Sequence, residues 1–301
     1  MSENWLSAED AFARYEAIRA RLPSASFPSV SRCLPTLSEA AEGWDGFVLD
    51  AFGVLNVGDR PIPGAVERMA ELRARGKRLC VLTNAASYTR AGALEKYRRL
   101  GFDFSADEVV SSRDVAAARL EGVAPGAIWA AISAPDDDFA DIPARVVNAM
   151  ETAGALEGAD ALLFLSTARW TIDWQKRLVA ALERRLRPLV VANPDLVAPR
   201  EGGLSQEPGL FAHDLMDRVE AVVHFFGKPY PEAFNDAANR IGLPLDRLAM
   251  VGDTLHTDVL GGAAAGMGTV LVTRHGLFAG RDVEPFICAS GIRPDVIVET
   301  T

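Results

Sequence analysis

Hydrophobic and polar positions along the chain switch between two periodicities, and the switches predict its elements. Near the start, Phe12, Tyr15, Ile18 and Leu22 recur at helical spacing behind Ser7, a candidate cap with Asp10 three positions on. A short amphipathic helix is therefore expected over residues 7–22. The Pro- and Ser-rich stretch 23–35 reads as loop. From there apolar runs and helical stripes alternate. Residues 47–49 form a short apolar strand, and Val66, Met69 and Leu72 mark a helix closed by Gly76. Residues 79–82 make the next strand, and Leu94, Tyr97 and Leu100 stripe the next helix, ended by Gly101. Such alternation is the βαβ signature of a parallel sheet.

The same alternation returns at 248–251 and 269–272, two strands flanking a Gly/Ala-rich helix at 257–265. Between the two blocks lies a region with its own apolar strands at 127–132, 161–165 and 189–192, and a Gly-rich loop at 199–209. The pattern predicts an α/β fold in three parts. Residues 1–44 are a helical extension, 45–123 and 221–301 are one α/β domain, and 124–220 are a second α/β domain inserted into it.

Composition narrows the partners more than the fold. The 301 residues are 49% hydrophobic and 24% charged, as expected of a folded chain long enough for a sizeable core. Asp and Glu outnumber Lys and Arg 41 to 31, a net charge of −10, which argues against nucleic acid or an anionic membrane as partner. Cys33, Cys80 and Cys288 are scattered without metal-like spacing and read as reduced thiols. The first residues lack a signal-like basic start and apolar run, and no stretch approaches 18 uninterrupted apolar residues. A cytoplasmic protein is the expectation.

In an open parallel sheet, ligands bind beyond the carboxyl ends of the strands, so the residues just after each apolar run carry the candidate chemistry. Four places stand out: Asp50, Thr83-Asn84, Gly227-Lys228-Pro229 after a strand at 222–226, and Gly252-Asp253. Singly, each has a plain structural use as a cap or loop residue. Together they supply two carboxylates, a hydroxyl, an amide and an ammonium. A carboxylate can attack phosphorus when a divalent cation offsets the repulsion between anions, and paired carboxylates suit Mg²⁺. The hydroxyl, amide and ammonium can hold phosphoryl oxygens as charge develops.

The ordered set Asp50-x-x-Gly53-Val54, Leu82-Thr83-Asn84, Gly227-Lys228-Pro229 and Gly252-Asp253-x-x-x-x-Asp258 resembles the four motifs of the haloacid dehalogenase superfamily. The flanking text "RPIPGAVE", "GKPYPEAF" and "VGDTLHTDVLGGAAAGM" resembles its class IIA, NagD-like branch. The resemblance spans roughly residues 45–120 and 222–280. It implies a Rossmann-like core with a C2-type cap inserted between the second and third motifs, and a Mg²⁺-dependent phosphatase acting on a small phosphorylated metabolite. Carried over by position, Asp50 is the nucleophile and Lys228 its catalytic partner. Mg²⁺ is held by Asp50, the backbone carbonyl of Phe52 and Asp253, with Asp258 in support, while Thr83, Asn84 and Lys228 bind the phosphoryl group. In this class the cap chooses the substrate. The "ANPD" segment, 192–195, looks like the substrate loop and puts forward Asn193 and Asp195, with Arg169, Trp170 and Arg200 as further cap candidates, Trp170 more for packing than contact. Members often pair through their caps, so a homodimer is expected.

One residue departs from the pattern. Phosphatases of the family carry a second aspartate two positions after the nucleophile, which protonates the leaving oxygen and then activates water, and here that position is Phe52. Loss of a positioned acid/base slows a reaction ~10²–10⁴-fold. Two compensations are open: His256 swings in as the acid, or the substrate has a leaving group acidic enough to need little protonation. An aromatic residue here also resembles the dehalogenase members, which attack carbon, but those lack the metal motif formed by Asp253 and Asp258. A phosphate-binding or regulatory module of weak activity is the other alternative.

Overall fold

The computed structural model describes residues 6–200 and 203–301, so Glu201 and Gly202 of the expected Gly-rich loop lie outside the described residues. Two parallel sheets organise the chain. The larger has seven strands in the order Arg32–Thr36, Val296–Thr300, Gly268–Val272, Leu248–Gly252, Gly46–Leu49, Arg78–Thr83 and Val109–Ser111. The second has five, in the order Val223–Phe225, Leu189–Val191, Ala161–Phe164, Ile128–Ile132 and Arg145–Asn148. This is the α/β architecture with a parallel core that the alternating pattern predicts. In the central strand Gly46–Leu49 every residue is buried, as expected for a strand covered on both faces. Phe47 and Leu49 pack under the helices Ala65–Ala74 and Arg90–Arg99, and Val48 points to the opposite face, into a cluster that also takes in Trp129, Leu163 and Val190 of the second sheet.

Several expectations change on contact with the structure. The N-terminal helix is shorter than 7–22: it runs Ala8–Ala17, capped as predicted by Ser7 and Asp10, and ends before a 3₁₀ turn at Arg19–Arg21. Pro23 bars the preceding residue from helical geometry, and Leu22 is extended. The stretch read as loop contains the strand Arg32–Thr36, which pairs with Val296–Thr300 at the sheet edge. An edge position tolerates Pro35, which has no N–H to donate. The helix expected at 257–265 opens with a π turn, Leu255–Val259, before the α-helix Leu260–Ala265. The strand before Gly227 pairs with Leu189–Val191, so the second sheet extends past residue 220 and delivers Lys228 to the core from the side of the insertion. The Gly-rich loop is replaced by the hairpin Val197–Arg200 with Gly203–Gln206.

A buried ion cluster clasps the two sheets together. Arg113, on the helix Ser112–Ala117, is fully enclosed, and its guanidinium donates to both carboxylate oxygens of Asp137 at 2.7 and 2.8 Å and to both of Asp141 at 2.7 Å. Both acids lie in the loop after Ile128–Ile132. Removing the guanidinium leaves Asp137 and the partly exposed Asp141 without their partner, so Arg113→Met is expected to lower unfolding free energy by about 1–3 kcal/mol. Adding Asp137→Asn and Asp141→Asn should recover part of the loss. Urea denaturation reads both variants, and an unchanged midpoint for Arg113→Met contradicts the clasp.

Candidate active site

Three neighbouring strands of the large sheet aim their carboxyl ends at one point. Asp50 follows Gly46–Leu49, Thr83 ends Arg78–Thr83, and Asp253 follows Leu248–Gly252. In-register pairing of Leu49 with Val81 and of Val251 with Leu49 sets these ends side by side. They line a pocket with Phe52, Asn84, Ser87, Tyr88 and Thr254, roofed from the insertion by Asn193, Asp195, Arg200 and Glu207.

A single ammonium organises the floor. Lys228 is buried, and its Nζ lies 2.6 Å from Asp50 Oδ1 and 2.7 Å from Asp258 Oδ1. The other Asp258 oxygen accepts the backbone N–H groups of Asp253 and Thr254, so Asp258 holds both the lysine and the loop that carries Asp253. Asp253 accepts the Leu277 N–H at 2.7 Å. Asn84 joins the insertion to the core. Its Oδ1 accepts the Lys228 N–H, and its Nδ2 donates to the Lys228 carbonyl and to Asp195. Two glycines permit this closeness. At Gly53, φ is +76° and a Cβ would lie 2.7 Å from the Asp253 side chain; at Gly227, φ is +137° and a Cβ would lie 2.6 Å from Asn84 Oδ1.

The electrostatics follow from three buried carboxylates, Asp50, Asp253 and Asp258, and the partly buried Asp195 around one cation. Burial, opposed by Lys228 and reinforced by Asp258, pushes the Asp50 carboxyl up to about 6. Burial and then repulsion from Asp258 and Asp50 push Asp253 up to about 8. Burial also raises Asp195 well above the carboxylate range. For Lys228 burial works the other way, but Asp258, Asp50 and Asp195 outweigh it and hold its proton well above the ordinary lysine range. Ligand atoms of Asp50, Asp253 and Asp258 all lie within 4.8 Å of one another. An oxygen-only set with excess negative charge in a buried site is the donor chemistry of a hard divalent cation, so these residues fit one.

Phe52 lines the same pocket, with two cations against its ring. Lys96 Nζ is 4.5 Å from the ring centroid and Arg200 Cζ is 4.8 Å from it. Lys96 was not foreseen, although its position with Ala93 and Tyr97 on the buried stripe of its helix was a readable signal. Burial pushes its ammonium down to about 8. Tyr88 and Glu207 were also missed. Glu207 accepts from Asn193 and pairs with Arg200 at 3.2 Å, which gives the roof a fixed polar network.

Two of the candidates lie outside the pocket lining. Arg169 is not among the residues lining the pocket; its Nη1 is bound to Glu151 at 2.8 Å, and the neighbouring Trp170 packs among Phe164, Trp174 and Phe211. His256 does not line the pocket either. Its Nε2 lies 2.5 Å from Glu16 Oε1, and its ring is stacked on Tyr15, so the π turn spends it on the N-terminal helix rather than on the missing acid.

Comparison with known proteins agrees with this geometry. Residues 47–140 match the model of the haloacid dehalogenase-like hydrolases, and residues 225–300 match a second HAD-hydrolase-like model. The chain is 30% identical over 269 residues to the glycerol-3-phosphate phosphatase of Homo sapiens, covering 80% of this chain and 84% of that protein. Among solved structures it resembles a possible sugar phosphatase from Cytophaga hutchinsonii, with a TM-score of 0.79 and 25% identity over 90% of this chain and 98% of that one. It also resembles the glycerol phosphate phosphatase of Mycobacterium tuberculosis solved with magnesium, with a TM-score of 0.69 and 26% identity over 85% of this chain and 75% of that one. With this fold, this ordered set of strand-end residues and these relatives, the chain belongs to the haloacid dehalogenase superfamily of hydrolases, in its NagD-like phosphatase branch.

Proposed function

We propose that the protein is a Mg²⁺-dependent phosphatase of small phosphorylated metabolites, working through an aspartyl-phosphate on Asp50 and restricted by Phe52 to good leaving groups. The observation that carries the reading is the buried cluster in which Lys228 joins Asp50 to Asp258 beside Asp253 and Thr83. The names of the relatives, phosphatases of glycerol phosphate and of sugars, support the substrate class.

In this scheme one Asp50 oxygen attacks phosphorus in line, the bond to the leaving oxygen breaks, and that oxygen keeps the electron pair. Thr83, Lys228 and the backbone of Asn84, whose side chain is engaged by Lys228 and Asp195, would hold the phosphoryl oxygens through transfer. Mg²⁺, held by Asp50, the Phe52 carbonyl and Asp253 with Asp258 in support, supplies charge neutralisation when bound. Water then attacks phosphorus, breaks its bond to Asp50 and releases inorganic phosphate. Both halves ordinarily need a proton carrier at position 52. Phe52 has none, and the neighbouring Lys96 is not among the residues lining the pocket. Phosphate binding without turnover is the second reading, and Phe52 is the observation that favours it.

Phosphate release from p-nitrophenyl phosphate with Mg²⁺ is expected to exceed release from glycerol phosphate by at least ~10²-fold, the value of a missing general acid. Equal rates on the two substrates contradict the leaving-group restriction. Asp50→Asn should abolish release from both, and activity that survives it removes Asp50 as nucleophile. Phe52→Asp is expected to raise turnover of glycerol phosphate by ~10²-fold or more while changing that of p-nitrophenyl phosphate far less. A parallel change in both would show that Phe52 affects packing and not proton transfer.

A further inference from the structure

The segment before residue 47, where the first family match begins, packs behind two loops that line the site. Its helix Ala8–Ala17 lies in one apolar cluster with Leu196 and Val197 of the insertion and with Leu255, Val259 and Leu260 of the large-sheet unit. Tyr15 stands at the centre of that cluster, 2% exposed. Its hydroxyl oxygen accepts the backbone N–H of Leu196 at 3.1 Å, the residue directly after Asp195. Its ring lies parallel to His256, with centroids 4.8 Å apart and planes 6° apart, inside the turn that separates Asp253 from Asp258. The charges of Asp195, Asp258 and Asp253 all act on the phenol, which burial already keeps protonated far above its ordinary range.

We infer that Tyr15 is a positioning residue that fixes the substrate loop of the insertion and the carboxylate loop of the core in one relative arrangement. One end of the side chain grips the chain at Asp195, whose carboxylate reaches Asn84, and the flat face grips the chain between Asp253 and Asp258. The rest of the segment is anchored to both units on either side of Tyr15. Glu16 pairs with His256 and Glu9 with Arg281 on the core side, while Arg14 and Arg21 each reach Asp217 at 2.6 Å on the insertion side. A helix fastened at both ends this way restrains opening of the roof over the pocket. Substrate is then met by a preset roof, and the binding step carries the effect more than the chemical step.

Hydrogen exchange tests this directly and does not depend on turnover. Tyr15→Phe keeps the ring on His256 and removes only the acceptor for the Leu196 N–H. It should speed exchange across residues 193–197 about fivefold or more, the factor of one lost buried hydrogen bond, and leave 253–259 unchanged. Tyr15→Ala removes the ring as well and should speed both segments, with the strand Ile128–Ile132 unaffected. Exchange at 193–197 that stays at the unmodified rate in Tyr15→Phe overturns the inference, and so does a uniform rise across the whole chain. On p-nitrophenyl phosphate with Mg²⁺, Tyr15→Phe should raise KM severalfold with kcat within about twofold. A fall in kcat at unchanged KM overturns the positioning role. Loss of the reading of Asp50 as nucleophile would instead appear as activity in Asp50→Asn, with the exchange result untouched.

Discussion

Everything at the site depends on one buried ammonium placed among more carboxylates than it can neutralise. Lys228 is within 2.7 Å of both Asp50 and Asp258, Asp253 is buried beside them, and the partly buried Asp195 adds a further carboxylate from the roof. A charge removed from water is tolerable only with partners at close range, and here the partners are themselves removed from water. The surplus of negative charge is what makes the floor suited to a divalent cation and, with it, to a phosphoryl group. The parallel sheet makes this arrangement possible, because three adjacent strands present Asp50, Thr83 and Asp253 at one edge without any long loop. The second sheet then closes the space by delivering Lys228 at the end of its own outermost strand.

Phe52 belongs to a different balance. It is nearly buried, with Lys96 of the core 4.5 Å and Arg200 of the roof 4.8 Å from its ring centroid, so it is an aromatic contact between the two units. The cluster of carboxylates and the aromatic contact make separable demands on a substrate. On the proposed mechanism the first favours a phosphoryl group, and the second withholds the proton that a poor leaving oxygen needs. On the same proposal an aspartyl-phosphate would also lack the base that hastens its hydrolysis, which would favour its persistence.

The parts of this arrangement that could be read from sequence are those set by short-range pattern. Asp50, Thr83 and Asp253 were legible because each directly follows an apolar run, and the loop at 192–195 because it follows a strand of the insertion; Asn193 and Asp195 both reach the pocket. What escaped was set by contacts distant in the chain. Tyr15 meets Leu196 across 181 positions, and nothing in a helical stripe distinguishes it from Phe12 or Ile18. Arg113 reads as one more helix cation until Asp137 and Asp141 fold around it. The strand at Arg32–Thr36 was hidden by Pro35 and by the Pro- and Ser-rich residues before it, yet an edge strand needs donors on one side only. Arg169 had the right charge in the right region, but it is bound to Glu151 and does not line the pocket.

The central claim is that phosphorus passes through Asp50. Protein mixed with p-nitrophenyl phosphate and Mg²⁺, quenched in acid and digested, can be read by mass spectrometry for a covalently bound phosphoryl group. The account predicts that group on the peptide containing residues 47–55, localised to Asp50 and absent from Asp50→Asn. A phosphoryl group on any other residue, or steady phosphate release with that peptide unmodified throughout, would contradict it.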